Sequence, residues 1–324
     1  MKLLKWIPAL LACSFVLLGC EDDDEETTYY YLDGSITLEM PSYVKAGETF
    51  TFKRSEISTL CADGIDESEV GYYVVDPYES TNDTLDLNWT EFTFKVLEDL
   101  GSFTLTVKGF YSGYVNSSGA ASFTTVNPEM PGGSVSDTGI GILDPCVTDA
   151  RDGKKYYYAE IGDLLWFRHN LAYEGCGVPY GSAPAMSDLF GIFYTQQEAM
   201  EACPEGWRLP TEAEWNAVYE EFGSNAGKLK ANAYFNDEPM WSYWKDVDCD
   251  NESTLAILPV GYANPGQDDS YTFYSLDEYA ALWTSDTQDD MAVYVYLYEK
   301  DNKLYRNVQS ADIFRLPVRC VKNN

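Results

Sequence analysis

Between residues 36 and 126 the chain alternates, and alternation of this kind admits few folds. Segments 36–40, 49–53, 71–75, 91–96, 102–107 and 121–126 each place an apolar or aromatic residue at every second position. Successive side chains of a strand point to opposite faces, so these segments read as strands with one buried and one wet face. Turn formers such as Ala46-Gly-Glu48 and Asn116-Ser-Ser-Gly119 stand between them, and the region carries no helical stripe. Many short strands without helices pack most simply as a β-sandwich, here over residues 35–127.

The phrase Val44-Lys-Ala-Gly-Glu-Thr-Phe-Thr-Phe52, with Leu100-Gly-Ser-Phe-Thr-Leu-Thr-Val107, resembles bacterial immunoglobulin-like and PKD-type modules. The resemblance implies an all-β immunoglobulin-like sandwich. Cys61 is the one cysteine of this region, so the intersheet disulfide of antibody domains is missing. Residues 128–144 are rich in Pro, Gly and Ser and read as an interdomain linker.

From residue 145 the pattern changes. Residues 155–161 and 164–167 read as a hairpin turning at Gly162-Asp163. Two helix starts follow, Thr195-Gln-Gln-Glu198 and Thr211-Glu-Ala-Glu214, each a capping box in which the Thr hydroxyl and the Glu carboxylate satisfy opposite amides. In the second helix Trp215, Val218, Tyr219 and Phe222 fall at spacings i, i+3, i+4 and i+7, one buried face, and Gly223 ends it. Trp207, Leu209 and Trp215 read as core that locks the two helices together.

Asp149-Ala-Arg-Asp-Gly153, Tyr156, Ile161-Gly162, Trp166, Asn170-Leu171, Ala202-Cys-Pro-Glu-Gly-Trp-Arg-Leu-Pro-Thr-Glu-Ala-Glu-Trp215, Leu258-Pro-Val-Gly261, Leu282-Trp-Thr-Ser285 and Val318-Arg-Cys-Val321 occur in order. Together they resemble the Fibrobacter succinogenes major paralogous domain over residues 145–324. The stretch 206–215 is also similar to formylglycine-generating sulfatase-modifying factors. Both resemblances imply an α+β C-type lectin-like domain, with two helices, a small twisted sheet and long loops. They also imply a disulfide from the end of the first helix to the last strand, here Cys203 to Cys320. The expected architecture is therefore mixed: an N-terminal sandwich and a C-terminal C-type lectin-like domain.

The N-terminus opens with Lys2 and Lys5, runs apolar to Leu18 and ends in Gly19-Cys20, the pattern of a signal peptide over residues 1–19. Leu17-Leu-Gly-Cys20 resembles the lipobox of bacterial lipoproteins, which implies acylation of Cys20 and a membrane anchor. Six acids follow directly from Glu21 to Glu26, a run that stays solvated within a tether over 20–34. An acidic run in that place resembles the surface-export signal of Bacteroidetes lipoproteins and implies the outer face of the outer membrane. Beyond Cys13 and Cys20 six cysteines remain, Cys61, Cys146, Cys176, Cys203, Cys249 and Cys320. Their residue types leave about fifteen connectivities open, and Cys176 with Cys249 or Cys146 is the next pair to consider.

A formal net charge of −32, from 21 basic and 53 acidic residues, argues against nucleic acid as a partner, since phosphate needs clustered Lys and Arg. His169 is the one histidine and reads as structural, with no nucleophile motif around it. The paired cysteine centre of formylglycine-generating enzymes is not matched, so no catalytic residue is assigned and the chain is expected not to be an enzyme. Asp246, Asp248 and Asp250 alternate as oxygen ligands for one Ca²⁺ do in a tight loop, against the reading of a plain solvated loop. Trp241, Tyr243, Trp244, Tyr262 and Tyr271, with Phe273 and Tyr274, crowd the long loops. Exposed, they would stack on a glycan or a protein partner; buried, they would fill a loop-rich core. The expected function is a non-catalytic binding or adhesion module at the cell surface, and the alternative is an inert or assembly-forming scaffold.

Overall fold

A computed structural model of the protein describes residues 29–268 and 270–324. The expected signal peptide, the expected lipidation site Cys20 and the acidic run after it lie outside the described residues. The chain is mostly β, in several sheets.

The N-terminal body uses β1 (Tyr43–Lys45), β2 (Thr49–Lys53), β3 (Gly71–Val75), β4 (Asn82–Leu85), β5 (Glu91–Lys95), β6 (Gly101–Phe110) and β7 (Ser117–Val126). Five of them form one sheet in the order β1-β7-β6-β3-β4, with β1 parallel to β7 and the other pairs antiparallel. β2 and β5 form an antiparallel ribbon of their own. Tyr72, Leu105, Val107 and Phe123 of the sheet share one buried core with Phe52 and Phe94 of the ribbon. The opposite face of the sheet is wet, and there Ser102 meets Thr124 at 3.0 Å and Thr104 meets Ser122 at 2.9 Å, cross-strand hydroxyl pairs. Segment 36–40 keeps the burial alternation, with Ile36 and Leu38 inside, but joins no ladder beyond an Ile36–Ser58 bridge. Pro41 follows it and has no amide to donate.

Residues 128–144 do more than connect. Val135–Ser136 (β8) pairs antiparallel with Tyr234–Phe235, and Ser134, Val135, Thr138 and Ile140 are buried. The Gly and Pro content bends this segment onto the C-terminal body. The two bodies also touch directly, because Tyr43 of β1 packs edge-on against Tyr180 at 5.8 Å. Asn236 donates to the Thr125 carbonyl at 3.0 Å across the same contact.

The C-terminal body begins with β9 (Cys146–Thr148), β10 (Lys155–Ile161) and β11 (Leu164–Phe167), followed by α1 (Gln196–Ala202) and α2 (Glu212–Glu221). Then come β12 (Tyr234–Phe235), β13 (Glu238–Pro239), the hairpin β14 (Tyr262–Pro265) and β15 (Tyr271–Tyr274), and the meander β16 (Tyr279–Gln288), β17 (Met291–Tyr298) and β18 (Leu304–Gln309). The last strand, β19 (Val321–Asn323), returns to pair with β11 in the sheet β9-β10-β11-β19. Both capping boxes form as the sequence reads, and the Cys203–Cys320 disulfide ties the end of α1 to the entry of β19. Cys61, Cys146, Cys176 and Cys249 are unpaired among the described residues.

Consecutive residues of β11 show why this body holds together. Trp166 and Phe167 point to opposite faces of the strand, and both are fully buried. Trp166 packs edge-on against Trp215 of α2 at 4.7 Å, while Phe167 meets Trp207 at 4.4 Å and Tyr156 at 4.7 Å. Trp207 and Trp215 therefore anchor two separate cores on either side of the sheet, where the sequence reading had them lock the two helices together.

Candidate functional site

The meander presents a stripe of tyrosines. Strand β17 alternates Val293, Val295 and Leu297, all buried, with Tyr294, Tyr296 and Tyr298, and the register sets Tyr305 of β18 opposite Tyr296 and Tyr279 of β16 opposite Tyr298. Rings run in contact from the core outward. Trp283 lies 6.0 Å from Tyr294, and Tyr294 lies 6.0 Å from Tyr296. From Tyr296 the stripe continues on one side to Tyr305 at 5.0 Å, and on the other to Tyr279 at 4.8 Å, Tyr262 at 6.0 Å and Tyr274 at 5.3 Å. Tyr262, Tyr279, Tyr296 and Tyr305 are half-buried and Tyr274 is 43 % exposed, so one edge of each ring stays accessible. At the middle of the stripe burial pushes the Tyr279 phenol well above its ordinary pKa, and its hydroxyl lies against that of Tyr294.

The stripe is held rigidly from below. Lys230 is fully buried and donates to the carbonyls of Tyr298 at 2.8 Å and Asp301 at 2.9 Å, which fixes the turn between β17 and β18. Burial pushes the Lys230 ammonium below its ordinary pKa, and the ring of Trp241, 4.8 Å away, offers it a cation–π partner. Tyr305 donates to Asp301 at 2.6 Å.

The residues expected to bind a ligand divide. Trp241 is buried, because its indole donates to the Ile257 carbonyl at 3.0 Å and its face serves Lys230. Tyr243 is 90 % exposed, and Trp244 is 40 % exposed beneath Lys300, which also lies over Tyr298. Tyr262 sits in the stripe, whereas Tyr271 is half-buried under the Arg315 guanidinium at 4.9 Å. Phe273 packs inward on Tyr180 and Phe193. Tyr279, Tyr296 and Tyr305 are not among the residues expected to bind, although the period-two tyrosines of 294–298 are a readable signal in the sequence.

In the acidic loop the Asp248 and Asp250 carboxylates and the Asp246 carbonyl accept local hydrogen bonds. Asp248 accepts from Asn225 at 2.6 Å, the Asp246 carbonyl accepts from Asn302 at 3.2 Å, and Asp250 accepts from the Glu252 amide at 3.1 Å. Among the described residues no three His, Cys, Asp or Glu side chains gather as metal ligands.

A family model described as the Fibrobacter succinogenes major domain matches residues 159–322, half of the chain. The chain belongs to that family. No curated protein and no solved structure matches it. The Fibrobacter succinogenes major domain thus runs from β10 to β19 and carries the whole tyrosine stripe, while the N-terminal body lies outside the match.

Within the family domain, several motif residues that carry the resemblance build the frame. Arg319 is 1 % exposed and donates to Asn170 Oδ1 and to the carbonyls of Phe167, Leu255 and Ala256 at 2.7–3.1 Å. Arg168 donates to Thr254 O, Gly139 O and Asp144. Three successive carbonyls of loop 254–256 therefore face two guanidinium groups. Thr254 and Ala256 hold positive φ of 61° and 52°, a strained conformation that those bonds offset. His169 accepts from the Tyr157 amide through Nε2, so its proton resides on Nδ1. Burial first, then Arg319 and Arg168, push its pKa down to about 3. Arg151 pairs with Asp149 and donates to the Ala202 carbonyl at 2.6 Å, tying the first motif to the end of α1.

Proposed function

We propose that this protein is a surface lipoprotein, anchored through Cys20, whose family domain acts as a non-catalytic binding or adhesion module. The observation that carries the reading is the continuous tyrosine stripe of Tyr274, Tyr262, Tyr279, Tyr296 and Tyr305; Tyr243 and Trp244 are exposed on the same domain. A row of half-exposed rings at steps of about 5–6 Å offers ring edges and hydroxyls to a ligand laid along it. The rings are already packed and the turn beneath them is pinned, so little ordering entropy is lost on binding. A net charge of −32 favours a neutral ligand over a polyanion.

The finer architecture belongs to the same proposal. The parallel β1–β7 pair closing an otherwise antiparallel sheet supports an immunoglobulin-like reading of the N-terminal body. Two helices, a last strand returning to the first sheet and the Cys203–Cys320 bridge support a C-type lectin-like reading of the family domain. The burial of Trp241 favours the scaffold alternative at that one position.

A glycan and mucin array probed with the oxidised mature chain, with calcium and with chelator, tests the proposal. The expected result is reproducible binding to neutral glycans that Tyr296→Ser abolishes. Silence across the array, from a chain that melts cooperatively, would leave the scaffold reading standing.

A further inference from the structure

The described residues open with Tyr29, Tyr30 and Tyr31, three tyrosines that stand 56–65 % exposed on the N-terminal body, outside the family domain. Tyr30–Tyr31 pairs in parallel with Tyr114–Val115, and Val115, the partner of Tyr31, is exposed as well. Tyr31 and Val115 share one face of this short ribbon. On the other, the Tyr30 ring lies 5.7 Å from Tyr114, which lies 5.7 Å from Tyr111. The patch is fixed to the body. Leu32, the next residue, is buried in the sandwich core, and Asp33 and Cys61 exchange both backbone hydrogen bonds at 2.8 and 2.9 Å. The turn that carries Tyr111 and Tyr114 is closed by the Tyr114 amide on the Tyr111 carbonyl at 3.0 Å, with Gly113 at a φ of 85°. Exposed aromatic and aliphatic side chains gathered in this way mark a contact surface rather than scattered surface residues.

The place of the patch in the chain says what covers it. Tyr29 stands nine residues after Cys20, a separation that even a fully extended chain spans with only about 30 Å. An acyl anchor on Cys20 would therefore hold the patch within that distance of a bilayer, where its effective concentration at the surface is high. Tyrosine is a residue of membrane–water interfaces, because its ring lies at the headgroup boundary while its hydroxyl stays in water. Residues 29–34 and 111–116 contain no Lys or Arg, so the patch offers no cation to anionic headgroups. Glu69 accepts from the Tyr111 hydroxyl at 3.4 Å and sets an acid at the rim. Both features favour neutral, zwitterionic headgroups and a shallow seat at their level.

We propose that the patch of Tyr29, Tyr30, Tyr31, Tyr111, Tyr114 and Val115 rests on the zwitterionic headgroups of the membrane that anchors the chain, so that the N-terminal body sits on the bilayer by this end. The proposal rests on the anchor at Cys20 and is independent of the tyrosine stripe. Photo-crosslinking of the full lipidated chain in phosphatidylcholine–phosphatidylethanolamine vesicles tests it, with p-benzoylphenylalanine in place of Tyr31, of Ser112 in the exposed turn, or of the exposed Tyr243 on the C-terminal body. Mass spectrometry of the same samples reads both the lipid adducts and the acylation of Cys20. The expected result is lipid adducts from positions 31 and 112, at least severalfold above position 243. Tyr29→Ser/Tyr31→Ser/Val115→Ser, all at exposed positions, should lower the yield at position 112 severalfold with the melting temperature unchanged. In a chain acylated at Cys20, equal yields at positions 31 and 243, no adduct at either, or a position-112 yield that the triple variant leaves unchanged would overturn this proposal alone. A chain without acylation at Cys20 would remove the anchor and this proposal with it.

Discussion

Tyr296 of β17 and Tyr305 of β18 face each other across the ladder with their rings stacked, 5.0 Å between centroids and 13° between planes. The pair ends the tyrosine stripe on the β18 side, and its outer member is fixed by Asp301, which accepts the Tyr305 hydroxyl at 2.6 Å. That hydrogen bond, with smaller contributions from burial and the Asp301 charge, pushes the Tyr305 phenol up to about 12. A raised phenol pKa favours the neutral form in the folded state, so its stabilisation is present below pH 10 and is lost as pH rises towards 12. Spectrophotometric titration should find Tyr305 ionising well above pH 10, and Asp301→Asn should bring it down. An unchanged titration in the variant would show that Asp301 does not hold the ring.

The Cys203–Cys320 bridge closes a separation of 117 residues. A loop of that size restrains the unfolded chain by on the order of 4–5 kcal/mol. Urea unfolding of Cys203→Ala/Cys320→Ala should lose about that much, and the wild type under dithiothreitol should match the variant. Equal midpoints with and without reductant would contradict the assignment of stability to this bridge.

Arg319 satisfies one side-chain oxygen and three backbone carbonyls inside the protein. Arg319→Met leaves those acceptors buried and unpaired, at a cost of roughly 3–5 kcal/mol. Arg319→Lys should fail to rescue it, because one ammonium cannot reproduce the planar fork. Urea midpoints of the two variants check this, and a lysine variant at wild-type stability would remove the geometric argument.

Much of this frame was legible because its signals are local. Thr195 with Glu198 and Thr211 with Glu214 announce helix starts within four residues, and Gly162-Asp163 announces a hairpin within one turn. The buried face of α2 at Trp215 and Val218 follows from spacing alone. The folded course of 128–144 was not legible, since Pro, Gly and Ser serve a free linker and a tightly bent buried segment equally well. The stripe was hidden for another reason. Tyr279, Tyr296 and Tyr305 are brought together only by the strand register of the meander, and Tyr262 reaches them through the bridge between Gly261 and Ala280. Trp241 reads as a loop ring, and nothing nearby in sequence reveals that Lys230 needs its face.

His169 adds an acid sensitivity. Its pKa is depressed, so the neutral ring contributes stability that is present above pH 6.5 and is lost as pH falls from there towards 3. His169→Gln, which keeps an acceptor for the Tyr157 amide, should flatten the decline in melting temperature between pH 6.5 and 5, above the range where most carboxylates titrate. Parallel declines in both proteins would assign the acid sensitivity elsewhere.

If the tyrosine stripe is a binding surface, affinity electrophoresis of the mature chain in native gels cast with soluble neutral polysaccharides or mucin should show retarded migration in at least one gel. The retardation should be lost in Tyr262→Ser/Tyr296→Ser/Tyr305→Ser while Cys203–Cys320 and the fold remain intact. Retardation unchanged in that variant, or none in any gel, would contradict the binding-surface reading.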